Sequence, residues 1–187
     1  MISPDDIVSL RKLTRLEELH LIPGPDKDFD IPGFEDTDFQ ALISGLNNLR
    51  GLSLLFSKGK LTMASLTAIA ESHPFLASCR ISCPVNLLEL KARQAPLFRE
   101  LRALAISGFI PEPAIHEPGN SKIAAARHAT MLESYFPKTT YLKCWGPDRP
   151  LDVYYFSWDV ERAREKSRKA QGKEPIYVPR SISRWLW

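Results

Sequence analysis

The stretch Leu13-Thr14-Arg15-Leu16-Glu17-Glu18-Leu19-His20-Leu21 spaces its leucines three, three and then two apart. A helix holds apolar residues at three and four whereas a strand alternates at two, so Leu19-His20-Leu21 reads as a short strand entered from a turn. The pattern returns in Leu46, Leu49, Leu52 and Leu54, and in looser form in His73, Leu76, Cys79 and Ile81. Two more copies follow, Phe98, Leu101, Leu104 and Ile106, then Phe136, Thr139, Leu142 and Cys144. With the third position as register the copies fall at 19, 52, 79, 104 and 142, so the steps are 33, 27, 25 and 38 residues. The middle two lie within the about 20–29 residues of a leucine-rich repeat, and the outer two carry insertions.

Between these copies the apolar spacing changes to that of helices. Ser3-Pro4-Asp5-Asp6 supplies an N-cap, a first-turn proline and two acids at the positive end of a helix dipole, ahead of Ile7 and Leu10. Asp36 or Thr37 caps a second stripe of Phe39, Leu42, Ile43 and Leu46, with Gly45 placed to take a left-handed conformation at its end. Met63, Leu66, Ile69 and Ala70 form a third stripe ahead of Pro74, and Asn120 caps a longer one with Ala125, Ala129 and Leu132 facing inward. The segment 85–94 is short and ambiguous. Residues 23–36 and 109–120, rich in proline, glycine and acid, read as surface loops at strand exits.

The expected fold is therefore α/β: a short irregular leucine-rich-repeat solenoid over residues 1–150, with parallel strands on the concave face and helices on the convex face. Residues 151–187 form a C-terminal cap and basic tail, in which Val153, Tyr155 and Trp158 cover the last open apolar face and a charged helix ends at Gly172.

The arrangement resembles the repeat region of fungal F-box-like leucine-rich-repeat proteins, over roughly Leu13 to Trp145. That resemblance implies substrate recognition within a ubiquitin ligase. The F-box that would dock the ligase adaptor is not in this sequence, where twelve residues precede Leu13, so an adaptor is expected only if an F-box lies upstream.

At 187 residues, 44% hydrophobic and 25% charged, the chain has the composition of one globular domain and not of a disordered tail. Its net charge of +3 is uneven. Residues 157–187 hold eight Lys/Arg and four Asp/Glu, leaving seventeen and eighteen elsewhere. Three cysteines do not make a disulfide framework, the acidic start is not a signal peptide, and no apolar run has the length of a membrane span, which leads to a cytoplasmic or nuclear expectation.

In such strands the consensus positions point into the core and their neighbours point outward. The outward set is Glu18, His20 and Ile22; Gly51, Ser53 and Leu55; Ser78, Arg80 and Ser82; Ala103, Ala105 and Ser107; and Tyr141, Lys143 and Trp145. Small residues occupy the centre of this face. His20, Arg80, Tyr141, Lys143 and Trp145 are of the types that anchor interfaces, and they form the candidate binding set for a protein or peptide partner.

No catalytic, cofactor-binding or metal-binding set is expected. Cys79, Cys83 and His73 lack the second tightly spaced pair of a structural zinc site, and Cys79 and Cys144 fall on core positions where free cysteines are at home. Neither a nucleophile elbow nor a phosphate-cradling glycine loop is present. The acids between Asp26 and Asp38 lack the spacing of a calcium loop. The alternative function is nucleic-acid binding by the basic tail, where Tyr177 and Trp185 could stack on bases. Against it, the alternating signs from Glu161 to Lys173 read as pairing along a solvated helix face.

Overall fold

The computed structural model describes residues 2–22, 31–56, 60–110, 121–144 and 151–173, with the backbone alone at 121–123 and 151–154. Five strands follow from the repeated spacing: β1 (Glu18–Leu21), β2 (Gly51–Leu54), β3 (Ser78–Ile81), β5 (Ala103–Ile106) and β7 (Tyr141–Cys144). They lie side by side in sequence order as one open parallel sheet. Their register is the one read from the leucines, because Leu19, Leu52, Cys79, Leu104 and Leu142 are successive ladder partners.

Two shorter strands depart from expectation. β4 (Pro84–Asn86) and β6 (Gly108–Ile110) follow β3 and β5 after breaks of two residues and one, and pair with each other in a second parallel ladder. Val85 and Phe109 at its centre are fully buried. Phe109 and Ile110, read as the start of a surface loop, thus belong to a strand, and Pro84 takes the first position of β4, which proline tolerates because its missing N–H is not called on there.

The helices are α1 (Pro4–Ser9), α2 (Asp36–Ile43), α3 (Met63–Ser72), α4 (Leu87–Lys91), α5 (Ser121–Tyr135) and α6 (Leu151–Ala170), with a 3-10 turn at Leu10–Lys12. Their starts are chemically specified. Ser3 and Asp6 form a reciprocal capping box, Thr62 accepts from the Ala64 amide, and Asn86 accepts from the Leu88 and Glu89 amides. The cap of α2 is Glu35, and Asp36 instead accepts from the hydroxyls of Thr62 and Ser65 and from the Thr62 amide, tying α2 to α3. Asn120 lies outside the described residues.

Parallel neighbours in sequence order need crossovers of one hand, which puts α2, α3 and α5 on a single side of the sheet. There Leu52, Cys79 and Leu104 share one core with Phe39, Leu42, Leu66, Ile69 and Leu132. Ile31 and Phe34, read as surface loop, are also fully buried in this core. Residues 23–30 of that loop, and residues 111–120, lie outside the described residues.

Gly45 has no left-handed backbone; among the described glycines only Gly33 and Gly172 do. The reason for Gly45 is space, since a Cβ there would stand 2.2 Å from the Arg11 carbonyl oxygen. Gly172, at φ +66°, sits just beyond α6 as expected.

The C-terminal helix covers the β7 edge by different side chains from those anticipated. Tyr155 and Trp158 are 59% and 49% exposed, and Val153 is outside the described side chains. The inward stripe is Phe156, Val160, Arg164 and Arg168, one every four residues, all buried. Phe156 meets the His128 ring edge-on at 5.7 Å, and the neighbouring Ser157 hydroxyl accepts from the Phe109 amide at 2.9 Å. Arg164 Nε stands 2.9 Å from Glu133 of α5, which Arg168 and Lys173 also approach, at 3.7 and 3.4 Å. Both arginines donate to the Thr139 carbonyl. The expected pairing along a solvated helix is thus replaced, for these two residues, by a buried cluster between helices.

Candidate partner-binding face

Side chains alternate across a strand, so the residues flanking each core position share the face away from the crossover helices. His20, Ser53, Arg80, Ala105 and Lys143 are successive ladder partners and form one row across all five strands. Glu18, Gly51, Ser78, Ala103 and Tyr141 form the row beside it. Strands lie about 4.8 Å apart, so roughly 10 Å of sheet separates His20 from Arg80 and Arg80 from Lys143.

The centre of the face is lower and drier than the sequence implied. Gly51, Ser53, Ala103 and Ala105 are buried, as is Leu55 beyond the end of β2. Gly51 is fitted to its place, because a Cβ would lie 3.1 Å from Ser78 Oγ and 3.3 Å from Glu18 Cγ. Tyr141, placed among the anchors by its type, is 8% exposed. Polar reach is therefore left to Glu18 and His20 at one end, Arg80 in the middle and Lys143 at the other end. His20 Nε2 stands 3.3 Å from the Glu18 carboxylate. Trp145 lies outside the described residues.

One member of this neighbourhood had no signal in the sequence. Glu161 of α6 accepts from the Cys144 amide and stands 3.6 Å from Lys143 Nζ. Burial pushes its carboxyl above the ordinary range, and the Cys144 N–H and Lys143 oppose that rise. Burial likewise raises the Tyr141 phenol, with Glu161 adding to the rise and Arg80 opposing it. Burial lowers Arg80, with Tyr141 opposing. Arg80, Tyr141, Glu161 and Lys143 are thus one electrostatic neighbourhood at the β7 end. Glu161 arrives there through the path of the chain after β7, which no local spacing encodes.

The other singled-out residues are dispersed. Cys79, Cys83 and Cys144 are buried thiols that form no disulfide. Burial pushes Cys79 up to about 12, and Cys83 is raised further, its Sγ donating to the Thr62 and Pro84 carbonyls. His73 is buried between the Ser72 hydroxyl and the Leu46 carbonyl, and His128 bonds the Ala124 carbonyl. His116 is outside the described residues. Among the described residues no group of three or more His, Cys, Asp or Glu is placed to hold a metal ion, and no helix is long and apolar enough to cross a membrane.

No family model, curated protein or solved structure matches the chain.

Proposed function

We propose that the chain is a short, irregular leucine-rich-repeat solenoid acting as a non-enzymatic protein-interaction module in the cytoplasm or nucleus. The supporting observation is the single ladder row that carries His20, Arg80 and Lys143 across five strands over a floor of small side chains. Two cations about 10 Å apart on a shallow face suit carboxylates borne by an extended peptide better than a small ligand, which needs deeper enclosure. Substrate recognition for a ubiquitin ligase of the F-box type is the form of this role that the resemblance to F-box-like leucine-rich-repeat proteins implies.

The test is selection from a displayed library of extended peptides. The chain should enrich acidic sequences, and Arg80→Gln with Lys143→Gln should weaken the selected peptide by about tenfold or more, the effect expected of interface anchors. Glutamine is chosen over glutamate because a carboxylate at 143 would face Glu161. Lys166→Gln with Lys169→Gln, exposed on α6, should leave this binding unchanged. Enrichment without acidic preference, or loss only with the α6 pair, would overturn the assignment.

A further inference from the structure

The structure sorts the charges of the C-terminal helix onto two faces. One is the buried stripe of Phe156, Val160, Arg164 and Arg168. The other carries Tyr155, Trp158, Arg162, Lys166 and Lys169, at intervals of three and four residues and all exposed. From this second face we infer that α6 binds single-stranded nucleic acid, independently of the sheet face.

Three features carry the inference. Tyr155 and Trp158 stay 59% and 49% exposed in a chain that buries almost all its other aromatic rings among the described residues, Phe75 being the exception. Flat rings left in water beside cations are the elements of a base-stacking platform. The Arg162 guanidinium already lies over the Trp158 ring, 5.2 Å from its centroid, which holds the ring while it stays 49% exposed. Arg162, Lys166 and Lys169 then continue the line along the helix. From 155 to 169 the stripe runs about 21 Å, the length of roughly six nucleotides at 3.4 Å each.

The same composition argues against other occupants. Exposed residues from Tyr155 to Lys173 include no Leu, Ile, Val, Met or Phe. A membrane surface or the apolar groove of a protein partner would require such side chains. Glu165 lies within the stripe and opposes a polyanion, so it moderates binding and gives the experiment a substitution that should strengthen it.

Fluorescence anisotropy of labelled oligo(dT) and oligo(rU) with the whole chain tests this. Binding should weaken with salt at a log–log slope of about −2, from three phosphate contacts at roughly 0.7 each. Trp158→Leu should lower affinity about tenfold at unchanged slope, because stacking and not charge is removed. Arg162→Gln with Lys166→Gln and Lys169→Gln should bring the slope near zero, whereas Glu165→Gln should raise affinity. All are exposed positions, and thermal melts would confirm that the variants are folded. Absence of binding at low salt overturns the inference. So does binding that ignores Trp158 and Glu165, which would place it elsewhere on the chain, and so does equal affinity for anionic phosphatidylserine vesicles or for duplex of the same length.

Discussion

Removing Glu133 should be the most damaging single change in the interface between α5 and α6. Its carboxylate is 16% exposed and faces Arg164 at 2.9 Å, Lys173 at 3.4 Å and Arg168 at 3.7 Å. Without it, the Arg164 and Arg168 side chains, 2% and 7% exposed, keep only the Thr139 carbonyl between them. Breaking a buried ion pair from one side costs roughly 3–5 kcal/mol, because the surviving charge stays out of water. Arg164→Ala should cost less, about 2–3 kcal/mol, since Glu133 keeps two cations and Thr139 keeps the Arg168 donor, leaving mainly lost packing and one lost charged hydrogen bond. Lys173→Ala, at a side chain 44% exposed, should cost about 0–1 kcal/mol. At roughly 2–4 °C per kcal/mol for a chain this size, Glu133→Ala would lower Tm by about 6–20 °C. Urea unfolding followed by circular dichroism, with the m-value checked for constancy, measures the series. The Glu133→Ala/Arg164→Ala double variant should cost less than the sum of the singles, as expected of partners in direct contact. Equal costs for Glu133→Ala and Lys173→Ala, or a larger cost for Arg164→Ala than for Glu133→Ala, would refute the reasoning.

Two further expectations follow from single side chains. Burial lowers His73 below the ordinary imidazole value of 6.5, the Leu46 carbonyl opposing, so the unfolded chain binds more protons in the window just below 6.5. His73 stability is then complete above 6.5 and lost as pH falls through the folded-state value; His73→Leu should flatten the stability–pH curve in that window, and an unchanged slope would show that His73 is not the titrating group. Gly45→Ala, which the lower entropy of the unfolded chain alone would favour at a position without a left-handed backbone, should instead destabilise by about 1–3 kcal/mol, because its Cβ would meet the Arg11 carbonyl at 2.2 Å and push the first helical turns away from α2. A thermal melt at or above that of the parent would contradict this.

The strand order and register were legible because each strand contributes one short, identically spaced apolar set, and a slip by one residue would turn that set away from the core. Leu19 through Leu142 needed no tertiary information. The β4–β6 ladder was not legible, since Pro84 and Gly108 signal a break without saying whether pairing resumes after it. The loop residues Ile31 and Phe34 were hidden by the acids and prolines around them. On the candidate face, alternation gave the row of His20, Arg80 and Lys143, yet it says nothing about height, so the burial of Ala103, Ala105 and Tyr141 emerged only from packing.

The charged helix shows why polarity alone misleads at the end of a sheet. Continuing the apolar stripe of Phe156 and Val160 by four lands on Arg164 and then Arg168, and hydropathy assigns both to solvent. A last strand, however, offers backbone groups that no further strand will satisfy, and leaving them buried without partners is costly. An apolar cap would exclude water from those groups without replacing it. In α6 the replacements are side chains of matching sign: Glu161 accepts from the Cys144 amide of β7, while Arg164 and Arg168 donate to the carbonyl of Thr139, two residues ahead of that strand. Glu133 then balances the arginines from the neighbouring helix. Polar residues are inside here because the edge they cover is itself polar, and the four-residue spacing that places them was present in the sequence, under a charge pattern that resembled a solvated surface.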